Sequence, residues 1–189
     1  MKKVLMINGS PNQTGATRKA LELVAGELSN SEFYVEFLQI GGELIHGCRA
    51  CDACRKAPNR KCAFNDDIIN TVICKMTEAD AIVIGSPTYF GNVTTEIKAL
   101  IDRSGYVARG NGHMFSGKIA SAVATCAHAG AVNVINALNL FFMTNDMPIA
   151  SSCYWPLVVA TPQKELDDTG KGAMKKLGEN IAKMIMHEH

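Results

Sequence analysis

Apolar and polar positions alternate along this chain in two rhythms that take turns. Val4 to Ile7 is a short continuous apolar run closed by Asn8, Gly9, Ser10 and Pro11, the pattern of a buried strand. Leu21, Val24, Ala25 and Leu28 follow at helical spacing. Phe33 to Ile40 reads as a second strand, and about Gly41 to Asn65 is irregular. Ile69, Val72, Ile73 and Met76 predict a helix that Asp66 or Asp67 would cap. Ala81 to Ile84 is a third strand, and Val93, Ile97, Leu100 and Ile101 mark the next helix. Ile119 to Thr125 is a fourth strand. Ala131 to Phe142 is helical but apolar around most of its girth, so it is either deeply buried or part of a subunit interface. Pro148 to Cys153 is expected to form a fifth strand, and Met174, Leu177, Ile181 and Met184 a closing helix.

Strands that alternate with helices predict an α/β doubly wound sandwich, a parallel sheet with helices on both faces. Five strands fit the flavodoxin-like order 2-1-3-4-5, whose ligand sits beyond the carboxyl ends of the strands at the switch point. With no repeat or linker, residues 1–189 read as a single domain, interrupted by a cysteine-rich loop after strand 2 at about 45–65.

Composition narrows the class. Hydrophobic residues make up 47% and charged residues 20%, values typical of a globular core. The net charge is +1 with no basic run, which argues against nucleic acid. No apolar stretch is long enough to span a bilayer. The apolar start at Met1 to Ile7 lacks a small-residue cleavage pattern, so it reads as a strand and the expected location is cytoplasmic. Seven cysteines, four of them in one short loop, argue for metal or redox chemistry rather than a disulfide framework.

Three loops follow strands one, three and four. Asn8 to Thr17 brings glycines that turn tightly and the hydroxyls of Ser10, Thr14 and Thr17 to the start of a helix, where free N–H groups favour a phosphate. The loop is neither a Walker A motif, since Ala16 follows Gly15, nor a dinucleotide fingerprint. A single phosphate monoester suits it, and a plain turn capped by Thr14 or Thr17 is the alternative. Gly85 to Val93 sets aromatic rings, hydroxyls and a glycine at the edge of a central strand, a lining for a flat apolar ring with polar edges. The alternative is that Tyr89 and Phe90 pack on the next helix. In the third loop, Thr125 to Gly130, His128 reads as a surface residue and Cys126 as a small buried hydrophobe.

Gly9-Ser10-Pro11 through Gly15-Ala16-Thr17, Gly85 to Tyr89, Lys98 to Arg103 and Gly117-Lys118 together resemble the NADPH-dependent FMN reductase family over roughly Met1 to Gly130. The resemblance implies that Ser10, Asn12, Thr14, Gly15, Ala16 and Thr17 hold the FMN phosphate. It implies that Pro87, Thr88, Tyr89, Phe90, Gly91 and Asn92 line the isoalloxazine, with Thr125 and its neighbours at the far edge. Cys126, Ala127 and His128 depart from the glycines common there in relatives.

Cys48, Cys51, Cys54 and Cys62 form C-x2-C-x2-C-x7-C. Three thiolates this close can ligate three irons of one cubane, and the fourth can close it. The motif is similar to that of the iron–sulfur flavoproteins of the same family, which implies a [4Fe–4S] cluster beside FMN and a ferredoxin-like donor. Structural zinc, a thiol–disulfide relay and four unliganded thiols are the competing readings. Arg49, Arg55, Lys56, Arg60 and Lys61 serve either solubility or docking of an acidic ferredoxin. Cys74 and Cys153 are expected to pack inside, Trp155 to follow the fifth strand, and His187 and His189 to be exposed.

The expected function is an FMN-dependent oxidoreductase. Electrons would come from NAD(P)H or through the cluster and leave to a small acceptor such as a quinone or flavin. No catalytic side chain is required. Backbone N–H groups between Thr88 and Asn92 would stabilise negative charge on the reduced ring. An electron carrier between proteins, a cluster-free NAD(P)H:FMN reductase and a redox sensor are the alternatives. A homodimer or homotetramer is expected.

Overall fold

The computed structural model describes residues 1–187; the expectation for His189 lies outside them. β1 (Lys2–Asn8), α1 (Ala16–Gly26), β2 (Phe33–Gln39), α2 (Ala53–Lys56) and α3 (Ile69–Glu78) lead into β3 (Ala81–Pro87). α4 (Thr95–Gly110), β4 (Ile119–Cys126), α5 (Ala131–Thr144), β5 (Leu157–Val159) and α6 (Asp168–His187) follow. The five strands form one parallel sheet in the order β2-β1-β3-β4-β5.

The central strands are largely apolar because both faces are covered. Leu5, Ile7, Ile82, Ile84 and Ala122 point to the face packed by α3, α4 and α5. Val4, Met6, Ala81, Val83 and Val123 point to the face packed by α1 and α6. The chain passes from β1 out to β2 and then back across to β3, so the carboxyl ends of β1 and β3 frame the switch point. Asn8 pairs with Gly85 and Pro87 with Thr125 in the register, which sets the three loops side by side.

The fifth strand is displaced from its expected place. Pro148 to Cys153 makes only a single parallel bridge, Ile149 to Ala120, and the strand proper is Leu157–Val159. Between them the chain leaves the sheet at Ser151 and rejoins it at Pro156, whose carbonyl accepts from Ala124 N–H at 3.0 Å. Proline has no N–H to give a ladder, so it stands where a strand begins. Trp155 therefore precedes the strand and is exposed with Tyr154. Cys74 and Cys153 are also exposed, against the expectation of packing: Cys74 lies on the outer face of α3 and Cys153 in the excursion.

α5 buries Val134, Ile135, Leu138, Phe141 and Phe142 but leaves Val132, Leu140 and Met143 exposed.

Candidate functional site

The first loop is held from beneath. Buried Asn8 accepts from Ser10 N–H at 3.1 Å and donates to Gln39 Oε1 at 2.7 Å. The Gln39 amide then donates to the carbonyls of Ser10 and Gly41, both at 2.7 Å. Within the loop, Asn12 N–H donates to Ser10 Oγ and Thr14 N–H to Asn12 Oδ1, each at 3.2 Å. The N-cap of α1 is Gly15, so neither Thr14 nor Thr17 caps the helix. Its first turn carries no side-chain cap and no acidic residue, which leaves the positive end of the helix facing the loop. Gly9 cannot be replaced freely, since a Cβ there would lie 2.3 Å from Ile97 Cγ1.

The second and third loops are tied to the first. Thr17 and Thr125 share a hydroxyl hydrogen bond at 2.8 Å, and Thr88 donates to the Thr125 carbonyl through its N–H at 2.8 Å and its hydroxyl at 3.0 Å. Thr94, the N-cap of α4, donates its hydroxyl to Gly9 O at 3.0 Å, and its N–H to Ser86 Oγ at 3.1 Å. Tyr89 and Asn92 exchange backbone hydrogen bonds at 2.9 and 3.1 Å around Phe90 (φ 48°) and Gly91 (φ 77°). Two positive φ values make this a type I′ turn, which lifts Phe90 fully into solvent with Tyr89 half-exposed beside it. The rings therefore do not pack on α4. Gly130 closes the third loop over this hairpin: at φ 89°, a Cβ would sit 3.0 Å from Thr88 Cγ2.

The N–H groups of Thr88, Tyr89 and Asn92 are thus already engaged. This narrows the expected ring-stabilising donors to Phe90 and Gly91. His128 is exposed, and Cys126 is half-buried, with burial pushing its thiol up and away from nucleophile chemistry.

The residues fit FMN. An uncapped helix start surrounded by Ser10, Thr14 and Thr17 suits a phosphate, and the exposed aromatic hairpin beside Thr125 suits a planar ring. A separate hollow of about 440 Å³, lined by Ile135, Asn139, Tyr154 and Trp155, opens beside the middle of β4 rather than at the strand ends.

The cysteine loop is hung on α3 and α4. Asn70 accepts from Cys62 N–H at 2.8 Å and donates to the carbonyls of Cys62 and Phe64 at 3.0 and 3.2 Å. Asn111 donates to Cys54 O at 3.0 Å and accepts from Arg60 N–H at 2.7 Å. Arg103 reaches His46 O and Phe64 O, both at 3.0 Å, and pairs with Asp67; both side chains are 1% exposed. Burial pushes the Asp67 carboxyl up, but hydrogen bonds from Arg103, Ile69 N–H and His46 N–H outweigh it and hold its pKa below the ordinary value. The N-cap of α3 is Ile68, so neither Asp66 nor Asp67 caps the helix as expected; Asp67 accepts from Ile69 N–H at 3.0 Å from one residue earlier.

Ala50 (φ 50°) and Asp52 (φ 59°) take left-handed conformations between the cysteines. Such strain in non-glycine residues persists where surrounding structure enforces it. Cys48 and Cys51 are exposed, Cys62 is half-buried and Cys54 is buried. Burial pushes the Cys54 thiol up, and charge on Cys62, Cys51 and Cys48 pushes the same way, so the four sulfurs lie within electrostatic reach of one another. Among the described residues no three His, Cys, Asp or Glu side chains already stand in ligating geometry. The four cysteines lie along one loop, Cys48 to Cys62, and thiolates are the donors an iron–sulfur cluster takes.

Asn8, Gln39, Asn70, Thr94, Arg103 and Asn111 were not singled out as site residues by the sequence. Only Asn8 carried a signal, a polar side chain ending a buried strand.

The fold is that of a flavodoxin-like domain, with the three loops meeting at its switch point. Residues 2–161 match the family model described as NADPH-dependent FMN reductase, and the chain belongs to that family of FMN oxidoreductases. An iron–sulfur flavoprotein of Archaeoglobus fulgidus is 48% identical over 109 residues, covering 58% of this chain and 52% of the relative. The chain thus matches about half the length of that protein. An iron–sulfur flavoprotein of Methanocaldococcus jannaschii is 29% identical over 192 residues, covering 97% of each. Among solved structures, the flavodoxin, WrbA-like protein of Agrobacterium tumefaciens superposes with a TM-score of 0.70 at 15% identity over 100% of both chains. That likeness supports the fold.

Proposed function

We propose that this chain binds FMN at the three loops and a [4Fe–4S] cluster on Cys48, Cys51, Cys54 and Cys62, and acts as an oxidoreductase. Electrons would enter from NAD(P)H or a ferredoxin-like donor and leave to a small acceptor such as a quinone or flavin. The observation that carries the reading is the chain of bonds from Thr17 through Thr125 to Thr88, which joins the uncapped helix start to the aromatic hairpin.

When bound, FMN supplies one- and two-electron chemistry and the cluster supplies single electrons. The protein's part is binding and orientation. Ser10, Thr14 and the start of α1 hold the phosphate, with Asn12, Gly15, Ala16 and Thr17 shaping the loop. Pro87 to Asn92 set one edge of the ring and Thr125 the other. The free N–H groups of Phe90 and Gly91 favour negative charge on the ring. No side chain is required to move a proton.

Arg49, Arg55, Lys56, Arg60 and Lys61 surround the cysteines and fit an acidic protein donor. The exposed Val132, Leu140 and Met143 of α5 fit assembly as a homodimer or homotetramer. Seven free thiols fit a reducing, cytoplasmic setting. Among the described residues no helix is long and apolar enough to cross a membrane.

The test is the visible spectrum of protein purified without oxygen, with FMN, iron, acid-labile sulfide and zinc assayed on the same sample. Flavin bands over a broad shoulder, with about four irons per chain, are expected. Flavin without iron or sulfide would leave a cluster-free reductase. No flavin after reconstitution would overturn the reading. Turnover of NAD(P)H with a quinone, against reduction only by reduced ferredoxin, separates the enzyme from an electron carrier.

A further inference from the structure

The edge of β4 that faces β5 is paired at two places and open between them. Ala120 N–H donates to Pro148 O and Ala120 O accepts from Ala150 N–H, each at 2.8 Å. Ala124 N–H donates to Pro156 O at 3.0 Å, where the ladder with β5 resumes. The two rungs stand about 13 Å apart at ~3.3 Å per residue.

Alternate residues of a strand turn their N–H and C=O to the same edge, so Ala122 faces the opening with Ala120 and Ala124. A continuous partner strand would give Ala122 N–H the Ala150 carbonyl as its acceptor. That carbonyl takes the Ser121 hydroxyl instead, at 3.1 Å. The same hydroxyl reaches Ala122 O only at 3.4 Å, a long contact. Among the described residues no group accepts from Ala122 N–H, although Ala122 is 1% exposed. Buried backbone donors without an acceptor are rare and call for a partner.

Ser121 and Ala122 line the hollow of about 440 Å³ together with Ile135, Asn139, Tyr154 and Trp155. None of the described residues around it is charged, so an ionic ligand would lose its hydration there without compensation. The Tyr154 and Trp155 rings stand 5.3 Å apart, tilted by 36°, and more than half of each residue is exposed. They offer apolar faces to a flat ring. The paired stretches at both ends close the edge to a passing strand, which argues against an extended peptide.

The geometry points to a binding site for a neutral, planar heterocycle that carries an N–H next to a carbonyl, the lactam edge of a uracil-type ring. The ligand carbonyl accepts from Ala122 N–H and the ligand N–H donates to Ala122 O, which completes the missing rung, while the ring lies against Tyr154 and Trp155. The site sits beside the middle of β4, and the inference does not rest on the flavin or the cluster reading.

The experiment is equilibrium dialysis of uracil and of 1,3-dimethyluracil against the purified full chain with FMN in excess, so that a flavin site is filled. Trp155 is the only tryptophan, so its fluorescence reports on the hollow. Uracil is expected to bind and to quench it. 1,3-Dimethyluracil keeps the ring and both carbonyls but has no N–H, and should bind about tenfold more weakly because Ala122 O loses its donor. In Asn139→Phe, whose ring fills the hollow, uracil binding should be lost while FMN and iron per chain stay as in wild type. Equal binding of the two probes would overturn the inference, and so would uracil binding that survives in Asn139→Phe. No binding of uracil overturns it as well, and Trp155 shielded from acrylamide would then assign the hollow to a second copy of the chain. If Asn139→Phe fails to fold, the comparison of the two probes on wild type decides. Protein that takes up no FMN would overturn the flavin reading and leave this comparison intact.

Discussion

At the carboxyl edge of the sheet, three loops are joined by short hydrogen bonds between residues that the strand register already sets side by side. Along the far part of α4, the cysteine loop has no strand to lean on and is suspended from Asn70, Arg103 and Asn111. Thr94 and Asn111 bracket that helix, about 25 Å apart at ~1.5 Å per residue. The first region inherits its geometry from the sheet; the second borrows it from a few long polar side chains. A site of the first kind tolerates the loss of one contact, because its neighbours remain in register. A site of the second kind is expected to fail by single residues.

The largest expected effect comes from splitting the buried ion pair. Asp67→Ala leaves the Arg103 charge unpaired and should cost about 3–5 kcal/mol of stability, measured by urea unfolding. The pair also sets an acid limit. Asp67 has a folded pKa below its unfolded value near 3.8, so its contribution is whole above that pH and is lost as pH falls through the folded value. The difference in stability between wild type and Asp67→Asn should therefore shrink below about pH 4.

Gly9→Ala tests the other region. The added methyl meets Ile97, and such overpacking costs roughly 1–3 kcal/mol. FMN affinity, followed by quenching of flavin fluorescence, should weaken while iron content per chain holds. Asn70→Ala does the reverse. It removes the clamp on Cys62 and leaves buried backbone groups unmatched, at about 1–3 kcal/mol. Iron content should fall while FMN binds as before. A variant that moved both readouts together would show that the two regions are one site. Thr17→Val is the mildest. It breaks the 2.8 Å bond to Thr125 and should weaken FMN binding about fivefold, the equivalent of ~1 kcal/mol.

The same contrast explains what the sequence revealed. The strands and helices were legible because buried strands and amphipathic helices write their burial into a local period, and the sheet order followed from the flavodoxin-like order that five such strands fit. The glycine-rich loops were legible because turns need particular residues. The supports of the cysteine loop were not. Arg103 and His46 are 57 positions apart, as are Asn111 and Cys54, and no local pattern links them. Arg103 lay inside the Lys98 to Arg103 stretch that resembled the family, but nothing there says it is buried. The fifth strand was misplaced because Pro148 to Cys153 and Leu157–Val159 are both short apolar runs beside a proline, and only pairing with β4 distinguishes them.

The interrupted edge of the sheet has a practical consequence. Residues 151–156 leave β4's side after one bridge and return before the next, so the ladder on either side is set independently of the path between. The entropy of closing such a loop grows only slowly with its length. Extra residues spliced in between Cys153 and Tyr154, both exposed, would lengthen the detour without shifting a strand. That makes this stretch the natural port for an affinity tag or a fluorophore.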